Sequence, residues 1–180
     1  ECDKDAHWQT RHPLQFESVR RGIPDRLIPL FDSFGVKPTF LLSPEVMRDE
    51  VSVSVLARIK NCELGTHLHG EFIEPQAEWN NTITGTPQSF YSPQVERQKL
   101  ENLTRLFAEK FSRQPTSFRA GRFGISPRTL VLLQELGYRV DSSVTPFWRH
   151  DFGDGRANNF WGAPLYPYFP SKRDARQMGR

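Results

Sequence analysis

The sequence predicts an α/β protein built on a parallel sheet or barrel. Short apolar stretches rich in strand-forming residues alternate along the chain with longer segments whose apolar residues recur every three or four positions. Three of the helical segments start with the same dipeptide, in which a serine that can cap the helix precedes a proline suited to its first turn. These pairs are Ser43-Pro44, Ser92-Pro93 and Ser126-Pro127.

Four strands and four helices are expected after a first strand that ends at the acidic residues Asp3 and Asp5. The first helix lies between Pro24 and Gly35, with Pro29 as a kink, and the other three follow the Ser-Pro pairs. Gly137 is placed to end the last of them. The strands are expected at residues 36–42, 62–65, 117–120 and 138–140.

Composition restricts the protein class. A chain of 180 residues, 37% hydrophobic and 25% charged, suits one globular domain over residues 1–180. The net charge is only +3 and the basic residues are scattered, which argues against a nucleic-acid partner. No apolar run approaches the ~20 residues of a membrane span. Cys2 and Cys62 are expected to stay unpaired. Because the chain opens on Glu1 rather than Met, we expect a domain cropped at both ends.

Residues 63–71 contain three groups that can bind a metal. His67, His69 and Glu71 lie within five residues, and imidazole nitrogens and carboxylate oxygens are zinc ligands. An extended backbone puts His67 and His69 on one face, whereas a helical one pairs His67 with Glu71. Two loop histidines bonded to backbone and water are the simpler alternative.

The predicted architecture brings further polar groups to the same place. Functional groups of parallel α/β folds gather at the carboxyl ends of the strands. The predicted strands end in two aspartates, two histidines, an arginine and a further aspartate. These residues are Asp3, Asp5, His67, His69, Arg119 and Asp141. Their convergence at one rim favours a metal site over isolated surface groups.

Five short segments, in this order along residues 1–141, also carry a family resemblance. They are Cys2-Asp3-Lys4-Asp5, Val36-Lys37-Pro38-Thr39-Phe40, Glu63-Leu64-Gly65-Thr66-His67, Phe118-Arg119 with Gly124, and Leu136-Gly137-Tyr138 leading into Asp141-Ser142-Ser143. The ordered set resembles the polysaccharide deacetylase superfamily, also known as the NodB-homology or carbohydrate esterase 4 group. The resemblance implies a distorted (β/α) barrel of the NodB-homology type, similar to a TIM barrel and incomplete in this chain.

The resemblance also implies an activity. Members of the family hydrolyse amide C–N bonds with a divalent metal, here expected to be zinc, and typically remove N-acetyl groups from sugar polymers. By this resemblance Asp5, His67 and either His69 or Glu71 are the metal ligands. Among the catalytic residues, Asp3 is the general base, Arg119 orients it, and Asp141 belongs to a later motif.

Several positions depart from the family pattern. Lys4 separates two aspartates that are adjacent in the family, so the roles of Asp3 and Asp5 are open. Glu71 occupies the place of the family's second histidine. The late Leu-x-His motif, whose histidine is the general acid, has no counterpart here, since His150 does not match it. The departures indicate a variant branch or a truncated domain.

The expected substrate is a carbohydrate polymer or oligosaccharide. Arg122 and four aromatic residues are candidates for contacts with sugar rings. The aromatic residues are Trp79, Tyr91, Phe147 and Trp148. Two alternatives to a polysaccharide deacetylase stay open: an inactive sugar-binding module of the same fold, and an amidase that acts on a small amide.

Overall fold

A four-stranded parallel sheet forms the centre of the protein. The computed structural model describes residues 1–6, 13–77, 86–153 and 155–179. The strands lie side by side in chain order. They are β1 (Thr39–Leu42), β2 (Glu63–Leu68), β3 (Ser117–Ala120) and β4 (Val140–Asp141). Their parallel pairing confirms the predicted fold class.

The first helices precede β1, and the others lie between successive strands. A helical segment with π-type hydrogen bonding (Ser18–Leu27) runs directly into the first α-helix, so helix formation begins before Pro24. Asp49 caps a separate helix and thereby divides the one expected after Pro44. The three Ser-Pro helices all begin at the proline, as predicted. The α-helices are α1 (Ile28–Ser33), α2 (Pro44–Met47), α3 (Glu50–Arg58), α4 (Pro93–Phe111) and α5 (Pro127–Glu135).

β2 is longer than the sequence predicts. It continues to Leu68 because it is paired on both sides, with β1 up to Thr66 and with β3 up to Leu68. His67 therefore lies inside the strand and opposite Arg119. The structure thus adopts the extended alternative for the histidine segment rather than the helical one.

The hydrophobic core lies between the sheet and α4. Thr66 faces this core, where its hydroxyl contacts the hydroxyl of Tyr138 at 3.0 Å. Thr104 of α4 contacts the same Tyr138 hydroxyl, also at 3.0 Å. Fully buried side chains of the core include Leu42, Leu56, Leu68, Leu100, Leu103, Phe107 and Phe118. Since side chains alternate along a strand, His67 points to the opposite face from Thr66 and Leu68.

A small hairpin, absent from the sequence prediction, packs beside the sheet. Its strands, β5 (Arg149–Asp151) and β6 (Ala157–Asn159), pair antiparallel. The Asn158 amide donates a hydrogen bond to the Arg122 carbonyl (3.1 Å), just beyond the carboxyl end of β3.

Cys2 and Cys62 are both free, as expected. Within the described ranges, no helix combines the length and the apolar character needed to cross a membrane.

Candidate metal centre

Asp3, His67 and His69 converge at the carboxyl edge of the sheet. The Nε2 atoms of both histidines lie 3.8 Å from Asp3 Oδ1. One ligand atom from each of the three residues lies within 4.8 Å of the others. Ligands of a tetrahedral zinc ion are about 3.4 Å apart, given metal–ligand distances of about 2.1 Å. Small side-chain movements would therefore bring the three groups to coordination distance.

The sheet itself positions these side chains. Cys2 forms a parallel bridge with Leu42, which adds the first residues of the chain to the sheet beside β1. Asp3 follows at the carboxyl end of this short extension. His67 and His69 share a face because the backbone stays extended through β2.

His67 has the form that a metal requires. The residue is 2% exposed, and its Nδ1 lies 3.0 Å from the carbonyl oxygen of Arg119. A carbonyl only accepts hydrogen bonds, so Nδ1 carries the proton and the Nε2 lone pair faces Asp3. Burial, reinforced by the neighbouring His69, lowers the pKa of His67 to about 3. The ring is therefore neutral near pH 7.

His69 lies between two carboxylates. Its Nε2 faces Asp3, and its Nδ1 lies 3.4 Å from Glu45 Oε1. Burial disfavours the charged ring, but the Glu45 and Asp3 carboxylates outweigh this effect and raise the pKa of His69 to about 9. Sequence reasoning missed Glu45, although it follows Ser43-Pro44 at the carboxyl end of β1 and so obeys the same rim rule.

Unsatisfied buried oxygens indicate that the donor set fits a divalent metal. Asp3 Oδ1 and both carboxylate oxygens of Glu45 are buried and form no aligned hydrogen bond with the described residues. Buried carboxylates are costly unless they are paired or bind a cation. Two imidazoles and a carboxylate form a common ligand set for zinc. The residues present therefore fit such an ion.

The structure places Asp5 away from this cluster. Its carboxylate accepts hydrogen bonds from the backbone N–H groups of Glu17 (2.6 Å) and Ser18 (3.0 Å), at the start of the first helical segment. These bonds outweigh the effect of burial and lower the pKa of Asp5. Strand alternation would have kept Asp3 and Asp5 on one side. However, the bridge at Cys2 is not followed by further strand pairing, and the chain turns away.

Glu71, the alternative to His69 in the expected ligand set, is also engaged elsewhere. Its carboxylate oxygens lie 2.7 Å and 3.2 Å from the two terminal nitrogens of Arg122. The short helical turn that holds Glu71 (Gly70–Phe72) begins only after His69. The four-residue helical spacing between His67 and Glu71 therefore does not arise.

Arg119 and Asp141 stand at the neighbouring strand ends. The Arg119 Nε donates to the Ser142 carbonyl at 3.0 Å, and Nη1 lies 3.4 Å from a carboxylate oxygen of Glu1. The Asp141 carboxylate accepts from the Ser143 N–H at 3.1 Å. Burial raises the pKa of Asp141 to about 6.

Comparison with known proteins shows which fold carries this cluster of residues. No protein-family profile and no curated protein matches the sequence. Several solved structures are similar to this chain, among them the following two. One, from Mycobacterium smegmatis, is assigned as a polysaccharide deacetylase (21% identity, TM-score 0.54), and the alignment covers 77% of this chain and 45% of that one. The other is a mutant of a CE4 family pseudoenzyme with restored enzymatic activity (14% identity, TM-score 0.52), with 71% of this chain and 42% of that one covered.

The chain has the polysaccharide deacetylase fold. The expected NodB-type architecture is thus confirmed. The chain spans less than half the length of either solved structure.

On this deacetylase fold, the residues expected to bind sugar have different environments. Tyr91 packs closely against Gly70, where a Cβ atom would lie 2.8 Å from the tyrosine ring. Trp148 is 59% exposed, and its ring centroid lies 5.6 Å from that of His150. Phe147 is also exposed and packs edge-on against a second tryptophan. Trp79 lies outside the described residues.

The packing of the candidate metal centre requires glycine at position 121. A Cβ atom there would lie 2.3 Å from the Leu68 carbonyl oxygen and 2.8 Å from His69 Cδ2. We expect Gly121→Ala to displace the His69 ring and to weaken Zn²⁺ binding about tenfold or more, measured by competition with a chromophoric chelator.

Gly22→Ala is the matched control, because the nearest atom to its new Cβ would lie 4.0 Å away and Gly22 is not part of the candidate metal centre. Equal zinc affinity in the Gly121→Ala variant and the wild type would contradict the packing argument.

Proposed function

We propose that this chain is a metal-dependent hydrolase of amide C–N bonds that removes N-acetyl groups from a carbohydrate polymer or oligosaccharide. The cluster of Asp3, His67 and His69 at the carboxyl edge of the sheet carries the proposal. The deacetylase fold supports it, since one similar structure is assigned as a polysaccharide deacetylase and another is a CE4 family pseudoenzyme whose mutant has restored enzymatic activity.

In this proposal Asp3, His67 and His69 hold the ion, which is zinc by the nature of the donors. A divalent ion bound there lowers the pKa of water and polarises the acyl oxygen of the substrate. Asp3 thus becomes a ligand rather than the general base. The reason is geometric: its Oδ1 faces both imidazole Nε2 atoms, whereas Asp5 caps a helical segment.

The role of proton acceptor passes to Glu1. It is the carboxylate that Arg119 contacts, at 3.4 Å, and both side chains are 31% exposed and therefore accessible to a substrate. The guanidinium would orient this carboxylate. Asp141 supports Arg119 indirectly, because it holds Ser143 while the adjacent Ser142 accepts the Arg119 hydrogen bond.

The sugar-contacting role suits Trp148 best among the aromatic candidates, since this residue is 59% exposed. Arg122 and Tyr91 instead contact the loop that follows β2. The Arg122 guanidinium is paired with Glu71, and the Tyr91 ring fills the space beside Gly70.

Substitution of Asp3 and of Asp5, which lie two residues apart, tests the ligand set. Asp3→Asn replaces an anionic ligand with a neutral one, so we expect most of the bound metal and of the turnover to be lost. Asp5→Asn is the matched control. It should keep the metal and lose on the order of 1 kcal/mol of stability through its weakened cap.

Metal content after dialysis and acetate release from N-acetylated oligosaccharides would be measured for both variants and the wild type. If Asp3→Asn retains a full equivalent of metal, the proposed centre is wrong. If the wild type binds metal and sugar but releases no acetate, the chain is a binding module rather than a hydrolase.

Replacement of Glu1 tests the proton acceptor. Glu1→Gln keeps size and polarity but cannot accept the proton, so turnover should fall by ~10²–10⁴ while metal content is unchanged. Glu101→Gln, which alters a helix-surface carboxylate paired with Arg97, should leave both unchanged. Unchanged turnover in Glu1→Gln would remove Glu1 from the mechanism.

A further inference from the structure

We propose that Glu45 is a positioning residue of the metal centre: its carboxylate accepts the Nδ1–H of His69 and holds Nε2 of that ring toward the ion. The inference rests on the proposed metal site. It assigns a role to a residue outside both the expected ligand set and the catalytic residues.

The burial of Glu45 is the first observation. Its side chain has no exposed surface, and neither carboxylate oxygen forms an aligned hydrogen bond with the described residues. Glutamate is almost never fully buried unless it is paired. The His69 Nδ1, 3.4 Å away, is the ring nitrogen that Glu45 faces.

The two histidines provide the second observation. Each directs Nε2 toward Asp3 Oδ1, at 3.8 Å. Each directs Nδ1 toward an oxygen acceptor, which is the Arg119 carbonyl for His67 and the Glu45 carboxylate for His69. Metal-binding histidines commonly donate their second ring N–H to a carbonyl or carboxylate in this way. His67 and His69 thus share one arrangement, as expected of two equivalent metal ligands.

Packing fixes the His69 ring in this position. Its Cδ2 edge lies against Gly121, where even a methyl group would overlap it. The opposite, Nδ1 side faces Glu45. The ring is thereby confined between a backbone and a carboxylate, and its Nε2 remains directed at Asp3.

A purely structural role for Glu45 makes a different prediction. Lys4 is buried nearby; burial lowers the pKa of its ammonium group, and the Glu45 charge partly opposes this effect. If Glu45 served only to balance Lys4, its replacement would change stability and leave zinc affinity unaltered. A positioning role requires zinc affinity itself to change.

The decisive variant is Glu45→Gln, which keeps the size of the side chain and removes its charge. Zn²⁺ affinity, measured by competition with a chromophoric chelator, should fall 10- to 100-fold. Glu45→Asp, which restores the charge on a shorter side chain, should recover part of the loss. Glu96→Gln removes another fully buried carboxylate, which lies on α4 and is paired with Arg128 of α5, and should leave zinc affinity unchanged.

A measurement on the wild-type protein makes the test independent of variant folding. Long-range ¹H–¹⁵N NMR of the zinc-loaded protein should find His69 protonated at Nδ1 and metal-bound at Nε2. Metal bound through Nδ1, or zinc affinity unchanged in Glu45→Gln, would overturn this inference alone. A wild type that binds no zinc would instead overturn the proposed metal site, and the role of Glu45 with it.

Discussion

Hydrogen bonding on both sides of β2 is the constraint on which the site depends. Because β1 and β3 both pair with this strand, its backbone stays extended to Leu68. An extended backbone places every second side chain on one face, so His67 and His69 are directed the same way while Thr66 and Leu68 enter the core. A helix that began at His67 would have replaced this pair by His67 and Glu71. The secondary structure of one strand thus selects the ligands.

Electrostatics at the carboxyl edge of the sheet follows from that placement. Two carboxylates, Asp3 and Glu45, are largely withdrawn from water around two imidazoles, with the buried ammonium of Lys4 nearby. Desolvation of so many polar groups is unfavourable for stability unless they compensate one another. The opposite effects on the two histidines, with the pKa of His67 near 3 and that of His69 near 9, reflect this environment. The ring beside a carbonyl stays neutral, whereas the ring between two carboxylates is favoured as a cation until a metal replaces its proton.

Much of the fold could be predicted because local signals and tertiary structure agree. The Ser-Pro pairs start helices as expected, and apolar periodicity locates the helix that covers the sheet. His67 and His69 were predicted because their position at the sheet edge and their ligand chemistry agree.

Asp5 shows where prediction from strand alternation fails. Alternation applies only while the chain remains paired, and the short extension at Cys2 leaves the sheet at once. Glu45 was missed because an acidic residue in the first turn of a helix is ordinary, as it interacts favourably with the helix dipole. Only the three-dimensional structure brings it to His69.

The central claim is that Asp3, His67 and His69 bind one divalent ion. Anomalous X-ray diffraction of zinc-loaded crystals, recorded on both sides of the zinc absorption edge, tests it most directly. The account predicts one strong peak per chain, about 2.0–2.2 Å from Asp3 Oδ1 and from the Nε2 atoms of His67 and His69. A peak at Asp5 or Glu71 instead, or no peak at the sheet edge under saturating zinc, would contradict it.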